Sequence, residues 1–348
     1  MNLDIALILA IDGLASGAIY ALIAIGTVLI FTVTRVVYVP FGDIAAFTAL
    51  TLAALEVQKL PGTAGLVIVL ACLATILELI TLVRIGRPHE IPRALLFYLI
   101  VPLLLVGIVW LAKPLYSAHM VFRIIFALLL IVPIAPLLDR IVYRPIANGS
   151  VLLLLIVSMA LHFALVGIGL LFFGPEGVRT QPMTDSIFVV GQVIVTGQTL
   201  LIMIAAILFS GLLYLFFEFS LVGKSLRATA VNRTGARLMG IRPERSGTIA
   251  YIVGSLMAGV SGILIAPVNT IFYDSGFLLG LRAFVGAIIG GMVSYPGTAI
   301  GSLLVGVLES FASFQDSALK DVIVFSLLIP ILIWRSIVSV HSEEHDEE

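Results

Sequence analysis

The sequence predicts an all-α protein that crosses a membrane many times, and three observations carry that reading. Of its 348 residues, 61% are hydrophobic and 11% charged, whereas soluble domains carry about 25% charged residues. The mean hydropathy is +1.20. The apolar residues fall in long runs, matching the roughly 20 residues a spanning helix needs, and not in the alternating ten-residue segments of an outer-membrane barrel. Lipid cannot satisfy exposed backbone groups, so such runs are helices.

Taken in order, eleven stretches qualify, giving an expected count of about 10–11 transmembrane helices: 6–33, 41–58, 64–83, 94–112, 119–139, 151–173, 198–219, 248–268, 280–294, 297–314 and 321–337. The ninth and tenth are short and separated only by Tyr295 and Pro296, so either two spans or an incomplete hairpin is expected there. The whole of 1–348 reads as one transmembrane domain, and the acidic end 338–348 as a short disordered tail. The first stretch lacks a basic leader region and runs straight into a span, so no cleavable leader is expected. The single Cys72 lies inside an apolar run, which excludes a disulfide or thiolate metal site within the chain.

The most polar interior stretch is Ser220–Gly247, which holds Lys224, Arg227, Arg233, Arg237, Arg242 and Arg245 against one carboxylate, Glu244. A loop this basic is expected on the cytoplasmic side. Thirteen basic residues then share its side and six lie opposite, which predicts an outside N-terminus and an inside C-terminus. Small and apolar residues are interleaved with the arginines, and Gly235 and Gly240 separate short helical pieces ended by Pro243. That order suggests a folded docking element for a soluble partner. Gly223-Lys224-Ser225 is no phosphate loop, because Glu218 stands where that motif requires glycine. No nucleotide site, metal cluster or nucleic-acid surface is expected, the arginines being spread over short loops.

Charged groups inside spans cost several kcal/mol unless paired or hydrated, about 3 by insertion scales. Asp12, Glu78, His162 and Glu309 are the suspects. Asp12 and Glu309 sit near predicted outer ends and are expected to reach water; Glu78 lies near Arg84, and His162 reads as a satisfied core histidine. Repeated small-residue spacings, Gly13/Gly17, Ser255/Gly259, Gly286/Gly290 and Gly297/Gly301, predict close helix packing. The alternative is a pathway lining, for which Asp12, Ser16, Gly17 and Tyr20 on the first span are the candidates. On the outer face, 172–198 carries a β-prone patch at Ile187–Val195, and with 266–276 it is expected to form a lip.

Three stretches resemble the inner-membrane permeases of bacterial ABC importers for branched-chain amino acids, the LivH type. They are residues 13–50, with Tyr38-Val39-Pro40-Phe41-Gly42-Asp43; residues 139–161, with Tyr143-Arg144-Pro145; and the basic loop running into the spans after it. Residues 64–112 look like an added helix pair, and Thr234 and Gly235 replace residues typical of the family. The resemblance implies a type II-like permease bundle in a bacterial inner membrane. It implies a coupling helix formed by Arg227, Ala230, Arg233, Gly235, Ala236, Arg237, Leu238, Met239, Gly240 and Ile241. It also implies a second, related permease subunit, two cytoplasmic ATPase subunits that bind the ATP and magnesium, and a periplasmic binding protein that delivers solute. The chain itself is then not an enzyme and holds no cofactor. The same machinery carrying amides, urea or aromatic acids is an alternative; a secondary transporter is another, and would need an ion-coupling carboxylate at mid-membrane. A membrane enzyme would need a cluster of catalytic polar groups, which the sequence lacks.

Overall fold

The computed structural model describes residues 3–333 except Ala118, Asn148, Gly191, Gln192, Val293, Ala318, Leu327, Leu328 and Leu332. The expected acidic tail, Arg335 and the end of the last predicted span lie outside the described residues. Each apolar stretch becomes helix: α1 (Leu3–Thr34), α2 (Phe41–Glu56), α3 (Gly62–Ile85), α4 (Pro88–Leu111), α5 (Met120–Ile146) and α6 (Val151–Phe173). After them come an antiparallel hairpin, β1 (Ile187–Val190) with β2 (Val193–Thr196), and α7 (Gly197–Phe219). The basic stretch forms α8 (Leu221–Val231) and α9 (Arg233–Leu238). The chain continues through α10 (Pro243–Ile265), α11 (Gly276–Gly290), α12 (Tyr295–Gln315) and α13 (Lys320–Ser326).

Among the described residues eight helices are long and apolar enough to span a bilayer: α1, α3 to α7, α10 and α12. The fold is therefore all-α and polytopic. The expected spans at 41–58 and 280–294 are shorter, with 16 residues in α2 and 15 in α11. The ninth stretch also shifts register: Gly291 adopts φ 93° and ends α11 at Gly290, while Ser294 accepts a hydrogen bond from Gly297 N and starts α12. Tyr295 and Pro296 open that helix instead of forming the break, because proline fits a helix's first turn, where its missing N–H has no partner to lose.

Burial sorts the helices into an interior and a rim. In their most apolar windows α1 is 83% and α10 72% buried, whereas α4, α6 and α7 are each 22% buried. With lipid as apolar as leucine, the interior pairs associate through close backbone contact. A Cβ on Gly17 would sit 2.7 Å from Leu303 Cα, and one on Gly13 2.6 Å from Val307 Cα, so α1 and α12 run backbone against backbone. Gly286 of α11 likewise faces Ser302 and Gly301 of α12. The packing role of the small-residue spacings is thus realised along α1, α11 and α12.

The two stretches expected on the outer face, 172–198 and 266–276, meet each other. Val178 and Ile271 exchange two backbone hydrogen bonds of 2.9 Å, and Arg179 Nε donates to Pro267 O at 2.8 Å. Gln198 ties the base of the hairpin to α10, accepting from Met183 N at 3.1 Å and donating to Leu264 O at 3.3 Å.

Candidate functional site

The basic stretch folds as two capped helices. Ser220 Oγ accepts from Gly223 N at 2.8 Å and starts α8; Asn232 Oδ1 accepts from Gly235 N at 2.8 Å and starts α9. Such caps stabilise by about 1 kcal/mol each. Gly240, at φ 82°, reverses the chain into α10. Leu226 and Ala236 turn inward, fully and almost fully buried. Val231, Leu238 and Met239 turn outward at 83–85% exposure, beside exposed Arg233 and Arg237. Arg227 pairs with Glu218 at 2.9 Å and Arg237 with Glu244 at 2.8 Å; Ala230 and Ile241 are half-buried. The element therefore presents a small apolar tip ringed by guanidinium groups.

Behind it lies a cavity of about 430 Å³, lined among others by Thr34, Asp139, Tyr143, Arg144, Arg233 and Glu244. Tyr143 and Arg144 of the Tyr143-Arg144-Pro145 stretch form part of its wall. Above that wall three rings pack edge to face or stacked: Tyr38 lies 5.6 Å from Tyr143 and 5.2 Å from Tyr251, and Tyr143 lies 6.1 Å from Tyr251.

The intramembrane charges are paired more thoroughly than the sequence suggests. Glu309, expected near water, is 8% exposed; its carboxylate accepts from Arg282 at 2.8 Å and from Tyr20 at 2.7 Å. Arg282 also donates to Tyr20 at 3.1 Å and to Asp321 at 2.6 Å, and Lys320 Nζ stands 4.0 Å from Glu309. Packing of α11 against α1 and α12 holds this group inside the bundle, so Arg282, one of the six basic residues counted opposite the basic loop, is a buried ion-pair partner and not a loop charge. Glu78 pairs with Arg140, not with Arg84, because Arg140 is 6% exposed and reaches α3 while Arg84 points outward.

His162 is satisfied, as expected of a core histidine, by a partner the sequence reading passed over: Nδ1 lies 2.7 Å from Oδ2 of Asp43, which is fully buried. The two are 119 residues apart. A count of intramembrane charges that included Asp43 and Arg282 flags both; only their partners are out of reach of sequence spacing. Of the four pathway candidates, Asp12 is exposed beside Ile8, Val195 and Thr196, and Ser16 is half-buried. Gly17 is closed against Leu303, and the Tyr20 hydroxyl is engaged by Glu309 and Arg282.

A family model described as "Branched-chain amino acid transport system / permease component" matches residues 9–332. The chain belongs to that family. This permease is 30% identical over 203 residues to the high-affinity branched-chain amino acid transport system permease protein LivH of Salmonella typhimurium, covering 56% of this chain and 66% of that protein. It is 31% identical over 206 residues to BraD, the corresponding permease protein of Pseudomonas aeruginosa, covering 57% and 67%. A shorter match, 35% over 85 residues, joins it to the autoinducer 2 import system permease protein LsrC of Photorhabdus laumondii, covering 24% and 26%. The chain thus spans 66% of the length of the curated LivH relatives it matches. No solved structure matches it.

Proposed function

We propose that this permease is one membrane subunit of an ATP-driven, binding-protein-dependent importer for branched-chain or other hydrophobic amino acids. The observation that carries the reading is the exposed Leu238–Met239 tip on a capped helix ringed by arginines, since apolar side chains at about 83% exposure on a chain's most basic element suit a partner better than bulk water. Two soluble ATPase subunits grip this tip from the cytoplasm through Arg227, Arg233 and Arg237, whose planar forks match carboxylates. Ala230, Gly235, Gly240 and Ile241 let the partner approach closely, while the expected contact Ala236 packs inward and seats the helix instead. ATP and magnesium belong to the ATPases, and this chain breaks no covalent bond. A second, related permease completes the pathway in a bacterial inner membrane. A periplasmic binding protein docks on the outer lip formed by 172–198 and 266–276, near Asp12 and Ser16. The N-terminus lies outside and the C-terminus in the cytoplasm. ATP-bound and ATP-free partners bind the element differently, and that difference shifts the bundle between outward and inward access.

Replacing Met239 with glutamate is expected to abolish ATP-driven uptake in proteoliposomes while leaving the permease folded. Wild-type uptake by that variant would refute the reading. One observation favours a second reading: Asp43 and His162 form a buried carboxylate–imidazole pair of the kind an ion-coupled carrier uses. Uptake by the isolated chain that follows a proton gradient and needs no ATPase would establish that alternative.

A further inference from the structure

The helix pair α3–α4, covering residues 62–111, has no role in the reading above. It is nevertheless bonded to the wall behind the coupling element. Near its inner end α5 makes a π-helical turn at Asp139–Tyr143, one residue wider than an α-turn, followed directly by Arg144. Arg140 reaches α3, where it pairs with Glu78 and donates to Thr81 Oγ1 at 2.9 Å. Arg144 spreads its guanidinium over three elements. Nε donates to Asp139 at 3.1 Å, one terminal nitrogen to Tyr98 Oη of α4 at 2.9 Å, and the other to Thr248 Oγ1 of α10. Tyr98 itself lies in the second π-helical turn, Leu96–Ile100.

Thr248 stands one turn after Glu244, to whose carbonyl its hydroxyl donates at 3.0 Å, and Glu244 holds Arg237 of α9 at 2.8 Å. Bonded groups thus run without a break from the coupling tip to both helices of the pair. We propose that Arg144 is a positioning residue that transmits displacement of the coupling element to α3–α4, and that this pair is a strut against which α10 is turned. The inference rests on the coupling reading. A planar fork with three fixed directions suits the task; a lysine ammonium, a point charge on a flexible stem, cannot hold three elements in register.

The test uses the complete transporter with its ATPases and binding protein in proteoliposomes, and reads solute imported per ATP hydrolysed together with thermal stability. Tyr98→Phe and Thr248→Val each remove one hydroxyl and leave the Arg144–Asp139 pair intact. Each is expected to lower import per ATP about tenfold, the size of one hydrogen bond to a charged group, and the two together further. Arg144→Lys should fall at least as far while ATP hydrolysis persists. Import per ATP within twofold of wild type in the double variant overturns the proposal, as does a lowered melting temperature with an unchanged ratio, which marks a merely structural bond. A wild-type complex that shows no ATP-dependent import overturns the coupling reading itself, and this one with it.

Discussion

Loss of Arg282 should cost the bundle heavily, and the structure says why. Its guanidinium, 7% exposed, faces Glu309 at 2.8 Å and Asp321 at 2.6 Å, and accounts for one of the two hydrogen bonds at the Tyr20 hydroxyl. Arg282→Met leaves Glu309 buried beside Tyr20, with Lys320 4.0 Å away as its nearest cation. Stripping one partner from a buried pair costs about 3–5 kcal/mol. Asp321 is a third exposed and regains water, so the lower half of that range applies. At about 2 °C per kcal/mol the melting temperature should fall by roughly 6–8 °C. Glu309→Gln should cost less, about 1–3 kcal/mol, since Arg282 keeps Asp321 and Tyr20 still finds an acceptor. The double variant Arg282→Met/Glu309→Gln should recover at least half of the arginine loss, because no unpaired carboxylate then remains in the interior. The assay is thermal unfolding of the purified permease in one detergent. A single arginine variant that melts within about 1 °C of wild type, or a double variant worse than both singles, refutes the reasoning.

His162→Ala strands the fully buried Asp43 and should destabilise by about 3–5 kcal/mol, with His162→Asn milder; equal melting temperatures for the two would count against the pair. Gly17→Val drives a side chain into the Leu303 backbone 2.7 Å away, which cannot rotate aside, and should cost about 1–3 kcal/mol by the same measurement. Met239→Cys in a Cys72→Ser background should react with a membrane-impermeant thiol reagent only when the cytoplasmic face is open; labelling of intact cells would reverse the proposed orientation.

Helix positions were legible in the sequence because hydropathy is a local property: the runs at 6–33, 151–173 and 198–219 became α1, α6 and α7 almost to the residue. Where a single backbone angle decides a boundary, hydropathy failed. Gly291 stops α11 four residues before the apolar run ends, since a residue at φ 93° cannot continue a helix whatever its neighbours' polarity. The basic element at Ser220–Gly247 was legible for the opposite reason, as polar punctuation in an apolar text. Its cap residues Ser220 and Asn232 act within three residues of themselves, a distance that sequence reading can bridge.

Pairing of charges is not local, and here the sequence was silent in a specific way. Asp43 and His162, or Tyr20 and Glu309, which are 289 residues apart, meet because helices distant in the chain are neighbours in the bundle. What sequence does impose is a requirement: each ionised group in an apolar span must find a partner, because leaving it bare costs several kcal/mol, about 3 by insertion scales. The partners found are unevenly placed. Asp43–His162 ties α2 to the rim helix α6, and the Arg282 group joins α1, α11 and α12, where a wrong register would strand a charge. Arg140 and Arg144 instead join α5 to α3 and α4, next to the cavity behind the basic element. Both sets hold buried charge, but the second is linked, from Arg144 through Thr248 and Glu244, to Arg237 of the basic element proposed to meet the ATPases. A perturbation of the first set should therefore register mainly as lost stability, and one of the second as lost transmission in a protein that still folds.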